Sequence, residues 1–216
     1  MEGKAHMAIG AALGAALAQP YTQATPYEWL IVPLAAFTAF MAAGLPDVLD
    51  SEHASGRDPV GLSWSSIQRD ARKARRKSIF ENLLLLPRAL AALVVDLVAK
   101  IIPHRGPTHW LVTWLGLSAL AVTGAALLHW PLLLAYAFGA GYLSHLLADA
   151  LTVSGVPLLW PFSDRKIHLL PGLLRFRFNS PVQWLYVLGV WGVTLFVWRG
   201  ELTHAAALGT AALLAR

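Results

Sequence analysis

The chain has 216 residues, 56% hydrophobic and 13% charged, with nine Trp, no Cys and a formal charge of +5. A soluble domain carries about 25% charged residues, so this composition excludes intrinsic disorder and argues against a water-soluble globule. The lack of Cys removes disulfides, thiolate metal sites and cysteine nucleophiles together, and the length suits one domain.

A bilayer core about 30 Å thick needs roughly 20 apolar residues in a helix. Residues 7–18 (MAIGAALGAALA) are too short for that. Glu2 beside Lys4 and the following Gln-Pro-Tyr-Thr-Gln do not make a signal peptide with a cleavage site. The spacing predicts a retained short helix whose Gly10 and Gly14 form a GxxxG packing face. Residues 29–45 are the first full span and deliver Asp47 and Asp50 at their end. A loop at about 51–78 follows, carrying Arg57, Arg69, Arg72, Lys73, Arg75, Arg76 and Lys77. Basic loops joined to apolar spans read as cytoplasmic topology determinants and as contacts for anionic lipid head groups. Nucleic-acid binding is the weaker reading of such a run, and no nucleic-acid partner is expected.

Residues 79–102 contain Arg88 after Pro87 and Asp96 in mid-segment. Charge at bilayer depth is costly, so this segment is expected to be interfacial or re-entrant. Residues 110–130 and 131–151 form two further spans, with Pro131 placed to start the second. Residues 153–181 are a long connection with an amphipathic RFRF tract at 175–178. Residues 182–198 form another span, and 202–215 are apolar but short. Trp29, Trp110, Trp130, Trp184 and Trp198 sit at predicted span ends, where an aromatic belt explains them. The predicted fold is an all-α, polytopic helical membrane protein of about five to six membrane-associated helices with one interfacial or re-entrant segment. It is read as a single integral membrane domain over 1–216, in the inner membrane.

Topology gathers the polar residues. Segment 7–18 leaves the side that holds His6, and 29–45 returns to it with Asp47 and Asp50. If 79–102 does not cross, His104, Arg105 and His109 lie there too, and 131–151 brings His145 and Asp149 back to the same side. Positive-inside bias places that side in the cytoplasm.

His145 and Asp149 are spaced i, i+4 and share one helix face. Asp47 and Asp50, at i, i+3, are also compatible with a shared face. His104-Arg105-Gly106-Pro107-Thr108-His109 puts two imidazoles around a Gly-Pro turn with a guanidinium between them. Each has a plainer reading. His6 alone is commonly a surface or interfacial histidine, the aspartates can sit in water after a helix, and His104 with Arg105 can be a solvated flank. The His145/Asp149 pair resists this, because ionisable groups within membrane segments default to function. Imidazole with carboxylate suits Zn²⁺, and also Mn²⁺ or Fe²⁺. Arg105 is a natural phosphate partner through bidentate bonds. His53, His129, His168 and His204 have no companion carboxylate at helical spacing.

The ordered set KAHMAIG, GLPDVLD, HRGPTHW and GYLSHLLADALTVSGVPLLWPFS resembles the YdjM-like family of membrane-bound metal-dependent hydrolases, over His6 to about Ser163. The resemblance implies a helical membrane protein distantly related to zinc-dependent phospholipase C and single-strand nucleases. Carried onto this chain, it implies a metal set of His6, Asp47, Asp50, His104, His109, His145 and Asp149. Where the family usually has LPDxD, this chain has LPDVLD, which leaves the choice between Asp47 and Asp50 open. Trp110 stands where Ser often follows HRGPTH. Asn179-Ser180-Pro181-Val182-Gln183 lacks the Glu that members often carry near the last span.

The expected function is hydrolysis of a phosphoester of a lipid or lipid-linked substrate at the cytoplasmic face. Arg105, His104 and Asp50 would serve catalysis, and a divalent metal, zinc first, would be the cofactor. The expected partners are the bilayer and an anionic lipid or phosphoester substrate. The alternatives are a metal-ion or small-solute transporter and a regulatory scaffold acting through the basic loop.

Overall fold

The computed structural model describes residues 3–21, 30–49, 105–177 and 180–214. The basic loop at 51–78, the segment 79–102, Asp50 and His104 lie outside the described residues. The helices are α1 (Gly3–Ala18), α2 (Ile31–Val48), α3 (Leu111–Leu127), α4 (Leu132–Ala150) and α5 (Val182–Leu214). They are apolar around their whole circumference, as helices in lipid are. Ile31–Val48, Leu132–Ala150 and Val182–Gly200 are long and apolar enough to cross a membrane, and Leu111–Leu127 is a shorter apolar helix. Among the described residues the regular elements are all helices, accompanied by two isolated β-bridges.

Small residues set the packing. A Cβ added to Gly10 would lie 2.5 Å from the Ala39 carbonyl oxygen, and one added to Gly14 or Gly141 would run into the backbone at Ala35 or Ala39. α1 therefore lies antiparallel on α2, and α4 lies parallel to α2, packed against both α1 and α2 around Ala39. Without a hydrophobic driving force between helices in lipid, such close backbone contact is what holds them. The expected GxxxG face on α1 is this contact. α3 and α4 are neighbours, with Trp114 Nε1 donating to the Gly139 carbonyl at 2.8 Å. α5 runs parallel to α1: Thr194 Oγ1 donates to the Ala12 carbonyl at 3.1 Å and Trp198 Nε1 to the Ala15 carbonyl at 3.1 Å. The α4 span is 61% buried and the α5 span 17%, so α4 is the central helix and α5 a peripheral one.

One difference from the sequence reading concerns the C-terminal part. Residues 182–198 and 202–215 are read as separate segments, whereas the described residues of both belong to one helix of 33 residues, Val182–Leu214. Gly200 alone weakens a helix by only about 1 kcal/mol, and no proline follows it to stop the helix.

The connection after α4, over residues 151–177, caps the end of the bundle where α2 and α4 finish. Thr152 pairs with Phe176 in a parallel bridge and Val156 with Ile167 in an antiparallel one. Leu111 N donates to the Leu158 carbonyl at 3.0 Å, and the Trp110 and Trp160 rings stack with centroids 3.5 Å apart. Within the RFRF tract Phe176 points inward and Arg177 outward.

Candidate metal centre

Every described candidate residue stands at the capped end. His6 lies in the first turn of α1 and Asp47 in the last turn of α2. His109 ends a 3-10 turn over Pro107–His109, and His145 and Asp149 lie near the C-terminus of α4. His6, His109, His145 and Asp149 are buried. The 3-10 turn is clamped from both adjoining helices. Tyr142 Oη on α4 donates to the Thr108 carbonyl at 2.6 Å, and Thr113 Oγ1 on α3 donates to the Pro107 carbonyl at 2.6 Å. These bonds set where His109 points.

Three ligand-type atoms form a triangle. His109 Nε2 is 3.1 Å from His145 Nε2, His145 Nε2 is 3.5 Å from Asp47 Oδ1, and His109 Nε2 is 3.8 Å from Asp47 Oδ1. Ligands bound tetrahedrally to zinc at about 2.0–2.1 Å stand about 3.4 Å apart. His145 Nδ1 lies 2.8 Å from the Ala43 carbonyl oxygen. A carbonyl only accepts, so Nδ1 carries the proton and Nε2 presents its lone pair to the triangle. Pro46, in the last turn of α2, lacks the N–H that would bond the Ala42 carbonyl; the next carbonyl along, Ala43, is the one that receives His145. The Thr108 hydroxyl stands 3.0 Å from His109 Nδ1. When it accepts from Nδ1, both Nε2 lone pairs face each other, an arrangement that a cation relieves.

Asp149 and His6 adjoin the triangle. Asp149 Oδ1 is 3.2 Å from His6 Nε2, and Oδ2 is 2.9 Å from Arg105 Nη2 and 3.9 Å from His109 Nε2. The His6 and His145 rings stack with centroids 3.9 Å apart. Although His6 Nε2 is close to the carboxylate, its direction is not that of a hydrogen bond, and His6 Nδ1 has no hydrogen-bond partner among the described residues. A buried imidazole left this way is costly unless something else takes its lone pair. Ligand atoms of His6, Asp47 and His145 lie within 4.8 Å of one another, as do those of His109, His145 and Asp149. His145 belongs to both groups, so the residues fit one divalent ion or two close together.

Arg105 serves this cluster as a brace. Its backbone adopts φ 57°, a left-handed conformation that costs a non-glycine residue about 1–3 kcal/mol. Its guanidinium binds Asp149 and donates through Nη1 to the Gly155 carbonyl. Gly155 sits at φ 60°, and a Cβ there would lie 2.6 Å from His168 Nε2, so only glycine presents that carbonyl. Asp47 and Arg105 keep side-chain exposures of 15% and 13%, against 0–3% for the other cluster members. The open side of the cluster is therefore the Asp47–Arg105 side.

The structure thus brings together His6, Asp47, Arg105, His109, His145 and Asp149. Asp50, His104 and His53 lie outside the described residues. His129 is exposed near the opposite end of the bundle, and His168 bonds the Val153 carbonyl at 3.2 Å in the capping connection. Sequence reasoning missed Tyr142, Thr108 and Gly155. Tyr142 stands three residues before His145 and so on its face, which was a usable signal. The carbonyl that orients His145 left none.

The chain matches the YdjM inner membrane protein family over residues 1–215. It is 35% identical over 177 residues to inner membrane protein YdjM of Escherichia coli (strain K12), an alignment covering 82% of this chain and 68% of that protein. The same identity and coverage hold for inner membrane protein YdjM of Shigella flexneri. No solved structure matches. A match along nearly the whole chain, together with a bundle of membrane-length helices, establishes that the chain belongs to the YdjM family of inner membrane proteins.

Proposed function

We propose that this chain is a membrane-embedded metal-dependent hydrolase that cleaves a phosphoester of a lipid or lipid-linked substrate at the cytoplasmic membrane face. The observation that carries this reading is the triangle of His109 Nε2, His145 Nε2 and Asp47 Oδ1, with edges of 3.1, 3.5 and 3.8 Å. Imidazole with carboxylate favours zinc, and manganese or iron would accept the same set. A bound divalent ion supplies Lewis acidity at a phosphoryl group and a supply of nucleophilic water near neutral pH.

The chain's own residues do the rest. His145 is held by the Ala43 carbonyl in the tautomer that leaves Nε2 free. Asp149 is held by Arg105 and keeps its remaining oxygen toward His6. Arg105, which braces Asp149 and lies on the open side, would also bind an incoming phosphate. Asp50 and His104 are proposed to complete the shell or to move protons. The ligands cluster at one end of the bundle rather than midway along the spans, which favours a hydrolase over an ion path through the bilayer. The basic loop leaves α2 at that same end, which supports a cytoplasmic orientation.

The test is metal content of the purified protein by elemental mass spectrometry, followed by release of phosphate or head group from phospholipid vesicles. Wild type is expected to hold about one or two ions per chain, and His145→Ala to lose both metal and turnover. Wild-type protein without stoichiometric metal would overturn the reading.

A further inference from the structure

Away from the cluster, α5 lies across α1 and α4 without closing the seam between them. A groove of about 380 Å³ runs between the three helices, with Ile9, Ala140, Leu147 and Ala148 among its walls. A second, of about 550 Å³, adjoins it along the same face of α5, beside Val182, Gly189 and Val193. Leu13, Tyr186 and Val190 border both. Each volume falls in the range of small-molecule sites, and both linings are almost wholly apolar. In a bilayer, neither water nor a polar ligand fills such space favourably, whereas hydrocarbon does.

The polar end of the seam has a different chemistry. Phe176 belongs there to one buried cluster with Ala5, Ala148 and Val187, and its ring is 5.0 Å from that of Tyr186. Arg175 and Arg177 flank Phe176, and exposed Lys4 precedes Ala5. Two groove-wall residues adjoin the candidate ligands directly: Ser144 precedes His145, and Ala148 precedes Asp149. Paired apolar channels below a cationic rim match a lipid with two acyl chains and an anionic head group.

We propose that the two grooves beside α5 hold the acyl chains of an anionic glycerophospholipid, with its phosphate at the Lys4, Arg175 and Arg177 rim, next to the His6–Asp149 end of the cluster. The lipid so held is distinct from the substrate of the hydrolase reading, whose phosphate enters on the open Asp47–Arg105 side, and the inference does not rest on that reading.

The test is native mass spectrometry of the full chain released from nanodiscs of phosphatidylglycerol or of phosphatidylcholine, with metal content measured on the same samples. A Cβ added at Gly189 or at Gly116 meets nothing within 4 Å. Gly189→Trp therefore fills the larger groove without disturbing the backbone, and Gly116→Trp on α3 is the control. Gly189→Leu replaces Gly189→Trp should the larger ring hinder folding. Wild type and the control are expected to retain one diacyl lipid per chain, phosphatidylglycerol over phosphatidylcholine. The Gly189 variants should retain about tenfold less, since each displaced methylene counts toward lipid affinity, with metal content unchanged.

Equal retention by the Gly189 variants, equal retention of both lipids, or a lipid-free dimer covering this face would each overturn the proposal. Retained phosphatidylglycerol in a metal-free wild type would sink the hydrolase reading and leave the grooves standing. Stoichiometric metal with retention indifferent to Gly189 would do the reverse.

Discussion

Replacing Asp149 by Leu removes a carboxylate of 3% exposure that lies 2.9 Å from Arg105 Nη2 and 3.2 Å from His6 Nε2. The guanidinium, itself only 13% exposed, then sits in a low-dielectric pocket without that countercharge. Breaking one partner of a buried pair costs about 3–5 kcal/mol. For a chain of this size that is a fall in Tm of about 6–20 °C, at roughly 2–4 °C per kcal/mol. The measurement is thermal unfolding in mild detergent, on protein stripped with a chelator so that bound metal adds nothing. A second variant decides the mechanism. Replacing both partners by apolar residues, Asp149→Leu with Arg105→Met, leaves no buried charge to desolvate and is often neutral or stabilising. The double variant should therefore melt above Asp149→Leu alone, a coupling that a double-mutant cycle reads directly. If Asp149→Leu melts within about 2 °C of wild type, or the double variant falls by the sum of the singles, the buried-pair reasoning is wrong.

Tyr142→Phe leaves the Thr108 carbonyl without its 2.6 Å donor; it should lose about 1–3 kcal/mol of stability and weaken metal affinity by about 10–100-fold, read by unfolding and by metal titration. Gly141→Leu drives a side chain into the α2 backbone at Ala39 and should destabilise by about 1–3 kcal/mol or more. By contrast, Gly124→Ala on α3, where a Cβ meets nothing within 4 Å, should be neutral or gain up to about 1 kcal/mol; equal effects would contradict the packing described. Chelator treatment of wild type should lower Tm by about 5–11 °C, since metal at a hundred times its Kd contributes about 2.7 kcal/mol, and re-addition of zinc should restore it. His109→Ala should abolish that metal-dependent shift, whereas His129→Ala, exposed and remote from the cluster, should keep it in full.

Much of this molecule was written locally. Long apolar runs dictate helices of membrane length whatever their neighbours, because lipid offers no partner for an unpaired peptide group. Alternating direction then places His6, Asp47, His109, His145 and Asp149 at one end, and the i, i+4 spacing of His145 and Asp149 fixes a shared face. The glycines at 10 and 14 likewise announced a close helix contact before its partner was known. What the chain order could not contain is distance across the bundle. That Asp47 stands 3.5 Å from His145 follows from Ala39 nesting between Gly10 and Gly141, a contact among residues far apart in the chain. The same holds for Arg105. Its sequence context offers a free cation for phosphate, but the tertiary structure engages it with Asp149 and the Gly155 carbonyl, because the capping connection folds back over the cluster. The grooves beside α5 are also a product of packing alone, arising where a peripheral helix crosses two others without filling the seam. Periodicity reports what one helix prefers; only the meeting of several decides which lone pairs converge and where space is left.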